Sequence, residues 1–289
     1  MINKASGIPY FKIAPGITLP KMGIGTWGVG GYMKKSQYND DGNDVLQLNY
    51  LLDYGLTMID AWLVQAEGHM VKLLAQALAN RKRESYFVVA KLDVIKFQDK
   101  YDVVKTTDQY LKNLNIDHVD ALQIHLPQYE KVSEEICLEQ MNRLIKEGKT
   151  KYLAISNATW QQIKRAQNFS EAKIIFNEVN YSVLDRTYET NGTIKFCEEH
   201  NIKIMSYKPL SRGGVNSLSS DKVFFRPLAD KYSKTVNQVA LNWLMAKPNV
   251  GVWMKSVNRS HINENLDSMS FQLSEEDRLA IDNYKLISL

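Results

Sequence analysis

The chain has 289 residues, a formal net charge of +4 and 44% hydrophobic residues. This composition is that of a globular protein and argues against global disorder, and so mild a charge does not predict nucleic-acid binding. Two cysteines are too few for a disulfide framework, and no apolar run is long enough to span a membrane. The first ten residues lack the apolar core of a signal peptide, so we expect a cytoplasmic protein without a membrane partner.

The chain opens with a predicted hairpin at 9–20, because a Pro-Gly turn separates two short apolar runs. A Gly-punctuated strand follows at 21–26, and then a polar loop at 28–42. Helical periodicity begins near Asn43, which is a good N-terminal cap, and stops at Gly55.

From residue 56 onwards, strand and helix patterns alternate. The remaining strands are predicted at 56–59, 86–91, 118–125, 151–156, 174–178, 203–207 and 250–254. The helices are predicted at 68–79, 103–114, 132–147, 159–167, 190–200, 234–246, 263–268 and 275–284, the last capped by Ser274, with an irregular segment at 208–230.

Eight strands, each followed by a helical segment, predict parallel strands with right-handed crossovers. No G-x-G-x-x-G turn follows a strand, which argues against a doubly wound nucleotide-binding fold. We therefore predict an α/β fold in one domain over residues 1–289. It is an eight-stranded parallel (β/α)8 TIM barrel closed at its base by the N-terminal hairpin.

Polar side chains end several of the predicted strands. The first such strand ends at Asp60, and later ones end at Lys91, at His125 and at the pair Ser156 and Asn157. The carboxyl ends of parallel barrel strands meet on one face, which is where active sites form in such barrels. The sequence therefore predicts a site at the top of the barrel, with a buried ion pair between Asp60 and Lys91.

Ordered motifs over nearly the whole chain resemble those of the aldo-keto reductase family. They are MGIGTWGVGG, MIDA with EGHMVKLLAQAL, VVAKL, DALQIHLP, LIKEGKTKYLAISN, NEVNYSVLDR, SYKPLSRGG, TVNQVALNWL and KSVNRSHINENL. The resemblance implies an NADP-dependent oxidoreductase that reduces aldehydes or ketones, its small-molecule carbonyl substrates, to alcohols.

In that family a tyrosine donates the proton, an aspartate and a lysine tune it, and a histidine orients the carbonyl. Asp60, Lys91 and His125 fall on three of these positions, whereas Gln65 falls on the tyrosine position. No tyrosine occurs between residues 55 and 85, so a shift of the alignment does not supply one.

Gln65 leaves the function open between alternatives. An amide can donate a hydrogen bond to a carbonyl oxygen, but it cannot supply a proton. One alternative is a slow reductase that draws its proton from Lys91, His125 or water. Another is a dinucleotide-binding protein with little turnover that acts as a sensor or partner module. A third is a barrel enzyme of unrelated chemistry, such as an isomerase or aldolase, that uses Lys91.

The resemblance also implies NADP as cofactor, and no metal site is predicted. Ser156 and Asn157 match the pair that holds the carboxamide, and Glu178 replaces a family glutamine as the third contact. Tyr207 matches the residue that stacks on the nicotinamide. The remaining matches are Gly25, Thr26 and Trp27 in the first strand, Leu210, Ser211, Arg212 and Gly213 around the pyrophosphate, Lys255 and Ser256 at the 2′-phosphate, His261 in place of a family arginine, and Glu264 and Asn265 at the adenine.

Four aromatic residues are candidates for a substrate wall, and each is equally compatible with packing in the core. They are Trp27, Tyr32, Trp62 and Trp160.

Overall fold

A computed structural model describes residues 7–125 and 131–284. Eight parallel strands close into a barrel in the order β10-β3-β4-β5-β6-β7-β8-β9, which confirms the predicted fold. The strands are β1 (Tyr10–Ala14), β2 (Ile17–Pro20), β3 (Met22–Ile24), β4 (Met58–Trp62), β5 (Phe87–Leu92), β6 (Val119–His125), β7 (Thr150–Ser156), β8 (Ile174–Val179), β9 (Lys203–Ser206) and β10 (Val250–Met254).

Helices surround the barrel between successive strands. They are α1 (Asp41–Tyr54), α2 (His69–Leu78), α3 (Tyr101–Leu114), α4 (Glu134–Lys146), α5 (Trp160–Phe169), α6 (Thr187–Thr190), α7 (Thr193–Glu199), α8 (Phe225–Lys231), α9 (Val236–Ala246), α10 (Arg259–Asp267) and α11 (Glu275–Asn283). Short 3-10 helices lie at Gln65–Gly68, Arg83–Ser85, Val94–Lys96 and Ser211–Ser220. Within the described ranges, no helix is long and apolar enough to cross a bilayer.

The N-terminal hairpin closes the base of the barrel, as predicted. β1 and β2 pair as an antiparallel sheet of their own, outside the barrel sheet. Phe11 and Leu19 of the hairpin are buried in one apolar cluster with Met58 and Phe87, which begin two barrel strands. The hairpin therefore covers the amino ends of the strands and leaves the carboxyl ends available for a site.

The start of α1 differs from the prediction. The helix begins at Asp41, and the side chain of Asp40 accepts a hydrogen bond from the main-chain N–H of Asn43. The predicted cap Asn43 was therefore wrong, because Asp40 offers a carboxylate three residues earlier and satisfies that N–H. The predicted end was correct, since Gly55 caps the helix in the left-handed conformation with a φ of 107°.

Three later predictions also need correction. The helix predicted at 263–268 starts at Arg259, where the Asn258 side chain accepts hydrogen bonds from two main-chain N–H groups. The helix predicted at 190–200 is the pair α6 and α7, separated at Gly192 with a φ of 83°. The segment 208–230 is not irregular throughout, since it contains a 3-10 helix and α8.

Strand register brings the polar residues into one layer. Lys91 is paired in register with Gln123, His125 with Ser156, and Ser156 with Glu178. These positions lie at the carboxyl ends of β5 to β8 or close to them. The barrel therefore gathers residues from distant parts of the chain at one end, as expected for this fold.

Candidate active site

A cavity of about 590 Å³ opens at the carboxyl end of the barrel. This volume lies within the range usual for ligand sites. Its wall combines ionisable groups in the barrel, apolar and aromatic side chains, neutral polar side chains, and three cationic side chains farther out. The lining residues are Gly25, Trp27, Asp60, Trp62, Gln65, Lys91, Leu92, Asp93, Val94, Ile95, Gln123, His125, Ser156, Asn157, Glu178, Tyr207, Lys208, Pro209, Leu210, Arg212, Gly213, Leu241, Trp253, Met254, Lys255 and Asn265.

Lys91 lies between two carboxylates in this cavity. Its Nζ is 2.9 Å from Asp60 Oδ2 and 2.7 Å from Glu178 Oε1. The second oxygen of Glu178 accepts a 2.7 Å hydrogen bond from Gln123 Nε2. The predicted Asp60–Lys91 ion pair is therefore present, but Lys91 has a second anionic partner that the sequence did not indicate.

The charges of this cluster shift its pKa values. Burial raises the pKa of Asp60, Lys91 opposes this and Glu178 adds to it, so that the pKa rises to about 7. Burial alone would lower the pKa of Lys91, but Asp60 and Glu178 outweigh it and the pKa is raised. Lys91 is therefore an ammonium ion at neutral pH. Among the described residues, Asp60 Oδ1 finds no hydrogen-bond partner.

His125 is held by two neighbours from β7 and the loop after it. Ser156 Oγ lies 3.0 Å from Nδ1, and Asn157 Nδ2 lies 3.1 Å from Nε2. With Asn157 as the donor, Nε2 is the acceptor and Nδ1 carries the proton that is donated to Ser156. Burial lowers the pKa of His125, so the ring is neutral at neutral pH.

The side chain of Gln65 is hydrogen-bonded to the main chain of a neighbouring loop. Its side chain is buried, at 1% exposure. Nε2 donates hydrogen bonds to the main-chain oxygens of Thr26 at 2.5 Å and Val29 at 3.3 Å. Both amide protons are thereby used, so in this conformation Gln65 has no donor left for a carbonyl substrate.

Thr26 links the same loop to β4. Its side chain is buried, and its hydroxyl donates a 2.8 Å hydrogen bond to the main-chain oxygen of Asp60. Gly25 and Trp27 on either side of Thr26 line the cavity, whereas Thr26 itself does not. This hydrogen bond gives Thr26 a role in holding the middle of β4 against the loop.

The residues matched to cofactor contacts divide into two groups. Most of them line the cavity, namely Gly25, Trp27, Ser156, Asn157, Glu178, Tyr207, Leu210, Arg212, Gly213, Lys255 and Asn265. The others lie outside its wall, namely Thr26, Ser211, Ser256, His261 and Glu264. Two of these have close side-chain partners, since Ser211 Oγ contacts Ser182 Oγ at 2.7 Å and Glu264 accepts a 2.8 Å hydrogen bond from Thr235.

Left-handed backbone occurs at several of these positions. Asn157, Ser211 and Arg212 have φ values of 55°, 49° and 56°. Non-glycine residues adopt this conformation at a cost, and such residues cluster at functional sites. Gly28 has a φ of 93°, and its lack of a Cβ lets the side chain of Lys255 lie close to the main chain. A Cβ at this position would lie 3.1 Å from Lys255 Nζ.

Two of the four aromatic candidates form part of the cavity wall. Trp27 and Trp62 line the cavity and stack with ring centroids 5.7 Å apart and an interplanar angle of 26°. Tyr32 packs against Trp27 at 5.6 Å. Trp160 is not in the cavity wall and packs on Phe196 at 6.0 Å.

The sequence interpretation missed Gln123, which is 3% exposed and binds Glu178. The available signal was a glutamine within the otherwise apolar run ALQI of a central strand. It also missed Asp93, Ile95 and Lys208, which follow strand ends and line the cavity. Loop residues of this kind have no periodicity by which they could be found.

Some of the residues that line the cavity could bind a nicotinamide dinucleotide, and one of them differs from what the family uses. Arg212 and Lys255 line the cavity and can neutralise phosphate groups, and the half-buried ring of Tyr207 lines the same cavity. Ser156 and Asn157 offer a hydroxyl and an amide. Glu178 differs from the family glutamine because a carboxylate has no N–H to donate to the carboxamide, and its two oxygens already accept hydrogen bonds from Lys91 and Gln123.

Comparisons with known proteins agree with this fold. A sequence profile described as the Aldo/keto reductase family matches residues 21–285. Aldo-keto reductase AKR2E4 of Bombyx mori is 28% identical over 96% of this chain and 92% of its own length. The NADH-specific methylglyoxal reductase of Escherichia coli is 23% identical over 90% of this chain and 93% of its own length.

A solved structure is similar over nearly the whole fold. The thermostable aldo-keto reductase Tm1743, in complex with the inhibitor epalrestat, superposes with a TM-score of 0.88 at 29% identity, covering 94% of this chain and 98% of its own. Since the family profile covers most of the chain and the barrel is present, the chain belongs to the aldo/keto reductase family, whose enzymes are NAD(P)-dependent oxidoreductases.

Proposed function

We propose that the protein uses NADPH to reduce small aldehydes or ketones to alcohols, slowly, with Lys91 as the proton donor. The observation that carries this proposal is the position of Lys91. Its side chain is 20% exposed, lines the cavity, and is held by two carboxylates beside His125. It is therefore a charged proton donor in a site whose tyrosine position is occupied by Gln65.

The expected slowness has a chemical cause. A positioned general acid contributes about 10²–10⁴ in rate, and it does so best when its pKa lies near the working pH. The raised pKa of Lys91 keeps the proton on Nζ but makes it a weak acid at neutral pH. Gln65 does not compensate, because its two amide protons are used by the loop after β3.

The cofactor would supply the hydride when bound, and the chain's own residues would bind and orient it. Arg212 and Lys255 would meet its phosphates, and Tyr207 its nicotinamide ring. In AKR2E4 of Bombyx mori, whose structure in complex with NADP is 25% identical with a TM-score of 0.79, the same fold binds NADP. We propose that this chain also binds NADP, because Lys255 lines the cavity and the chain belongs to this family.

The substrate would be a small carbonyl compound. Trp27, Trp62 and Ile95 provide an apolar wall next to the ionisable cluster. A neutral His125 can orient a carbonyl oxygen once Nε2 is released from Asn157, with the proton moved to Nε2. We also propose a cytoplasmic location, which suits the two buried free thiols of Cys137 and Cys197.

One experiment tests the proposal. NADPH oxidation would be followed with a panel of small aliphatic and aromatic aldehydes, for the protein and for Lys91→Met. We expect slow aldehyde-dependent oxidation that the substitution abolishes. Equal rates in the two proteins would contradict the role of Lys91.

A second function is favoured by the saturated hydrogen bonds of Gln65. The protein would then bind the dinucleotide with little turnover and act as a sensor or partner module. Tight NADPH binding by fluorescence, without oxidation by any aldehyde, would support this alternative. A Schiff-base enzyme using Lys91 is disfavoured, because an amine nucleophile needs a lowered pKa and that of Lys91 is raised.

A further inference from the structure

The Lys91 cluster contains two buried carboxylates and one ammonium group. Nζ lies 2.9 Å from Asp60 Oδ2 and 2.7 Å from Glu178 Oε1. Asp60 is 9% exposed and Glu178 is 3% exposed. If both carboxylates were ionised, the cluster would hold a net negative charge away from water, which is costly. One bound proton makes the cluster neutral.

Asp60 is the carboxylate that accepts this proton at the lower cost. Both oxygens of Glu178 accept hydrogen bonds, one from Lys91 and one from Gln123 at 2.7 Å. Within the described part of the chain, Asp60 Oδ1 has no hydrogen-bond partner. Burial raises the pKa of Asp60, and Glu178 adds to that shift against the opposing effect of Lys91. The proton therefore belongs mainly to Asp60.

We propose that Asp60 and Glu178 hold one proton between them, and that Lys91 relays this proton to the oxygen of the carbonyl substrate. The relay rests on the proposed reductase function, whereas the shared proton rests on the geometry of the cluster alone. Glu178 then helps the site to work without a tyrosine, because its negative charge adds to the effect of burial in raising the pKa of Asp60 to about 7.

The proposed reduction consumes one hydride and one proton, and the cluster regains its proton from water. The new C–H bond would form with a hydride from the reduced nicotinamide held by Arg212, Lys255 and Tyr207, and the electron pair of the C=O π bond would move onto oxygen. An N–H bond of Lys91 breaks as the O–H bond of the alcohol forms. A half-turn of the Asp60 carboxyl group brings its proton to the Oδ2 side. Neutral Lys91 takes that proton across the 2.9 Å contact, and water then reprotonates the cluster.

The protonated cluster is also the more reactive form. When Asp60 is protonated, only Glu178 stabilises the ammonium group, so Lys91 is a stronger acid than in the doubly ionised cluster. The reduction rate should therefore fall as the pH rises through the range in which Asp60 loses its proton.

Among the described residues, the other ionisable groups near the cluster are His125 at the end of β6, Tyr110 on α3, Tyr207 after β9, Asp93 after β5, and Lys208, Arg212 and Lys255 farther out. Burial lowers the pKa of His125 and raises the pKa of Tyr110 and of Tyr207, so these three are neutral near pH 7. Asp93 is paired with Lys96 at 3.0 Å.

The test uses infrared spectroscopy on the cofactor-free full chain. A protonated carboxylic acid has a C=O stretching band that a carboxylate lacks. Spectra would be taken between about pH 5.5 and about pH 8, across the range in which a carboxyl with a pKa near 7 titrates. The variants are Asp60→Asn and Glu178→Gln, which keep the shape of each side chain. The control is Glu134→Gln, which removes a buried carboxylate paired with Arg165 on the outer helices.

We expect the native protein to show the acid band at about pH 6 and to lose it by about pH 8. The band should be absent at pH 6 in Asp60→Asn and in Glu178→Gln, because each leaves one carboxylate for one ammonium group. It should persist in Glu134→Gln. A native protein without the band at pH 6, or a band that survives Glu178→Gln, would overturn the shared proton.

A kinetic measurement tests the relay. The single-turnover rate of aldehyde reduction should fall about tenfold per pH unit above the Asp60 transition in the native protein. In Glu178→Gln this transition should move out of the neutral range. An identical pH profile in both proteins would overturn the relay. If the acid band behaves as expected but no aldehyde is reduced at any pH, the reductase function fails and the shared proton stands.

Discussion

Gln65 Nε2 donates a 2.5 Å hydrogen bond to the main-chain oxygen of Thr26, and this contact joins the loops that follow β3 and β4. The same nitrogen reaches the oxygen of Val29 at 3.3 Å. Gln65, which the family resemblance assigns to the proton-donor position, thus stabilises the cavity wall. We propose that its role is structural and that the proton for carbonyl reduction comes from Lys91.

Replacement of Gln65 by Leu should therefore lower the stability of the protein. The change removes two buried donors and leaves main-chain oxygens without partners, which should cost about 1–3 kcal/mol of unfolding free energy. Urea unfolding would measure the difference. Gln161→Leu is the matched control, since Gln161 is exposed on α5. Equal losses in the two variants would contradict the inferred role of Gln65.

Replacement of Lys91 by Met should destabilise the protein more at alkaline than at acidic pH. Because folding raises the pKa of Asp60 to about 7, protonation of Asp60 stabilises the folded state. This stabilisation is complete below the pKa that Asp60 has in the unfolded chain, and it is lost as the pH rises through about 7. Without Lys91, both carboxylates must stay protonated or remain buried without a cation, at a cost of about 3–5 kcal/mol.

Unfolding by urea at about pH 5 and about pH 8 would measure this difference. Lys105→Met is the control, because Lys105 pairs with Asp102 on the surface, with a side chain that is 65% exposed, and should change little at either pH. A Lys91→Met variant whose loss of stability is the same at both pH values would show that the carboxylates do not depend on Lys91.

Replacement of Lys255 by Ala should reduce the preference for NADPH over NADH. Lys255 lines the cavity and lies close to Gly28. A charge-assisted hydrogen bond to the 2′-phosphate is worth about 1.5–3 kcal/mol, or roughly ten- to a hundredfold in affinity. Fluorescence titration with both cofactors would measure the preference, with the exposed Lys164 on α5 replaced by Ala as control. Equal affinities for NADPH and NADH in the native protein would rule out this use of Lys255.

Replacement of Trp62 by Ala should weaken the binding of aromatic aldehydes. Trp62 stacks on Trp27 in the cavity wall, and aromatic contacts of this kind contribute about 0.5–1.5 kcal/mol. The KM for benzaldehyde should rise about two- to tenfold, by the same arithmetic, and more than the KM for propionaldehyde. Trp160→Ala is the control, since Trp160 packs on Phe196 away from the cavity. The same rise in KM for both aldehydes would exclude stacking as the cause.

The sequence by itself determined the barrel and the identity of several residues at its mouth. Alternation of strand and helix patterns is local, so eight parallel strands could be inferred without knowing their positions in space. Asp60, Lys91 and His125 could be found because each follows or closes a predicted apolar strand, and the carboxyl ends of barrel strands share one face. In the structure Asp60 lies within β4, which continues to Trp62. Errors concerned the bounds of strands and helices, the helix at 190–200 and the segment 208–230. The choice between Asp40 and Asn43 as cap, for example, depends on the path of one loop.

The tertiary structure alone decided how the side chains of the site are used. Glu178 binds Lys91, although the two residues are 87 positions apart in the chain, and its other oxygen accepts a hydrogen bond from Gln123. Gln65 binds main-chain oxygens near position 26 instead of facing the cavity as a donor. Hydrogen bonds depend on distances of a few tenths of an ångström between distant segments, and no local pattern in the sequence carries that information.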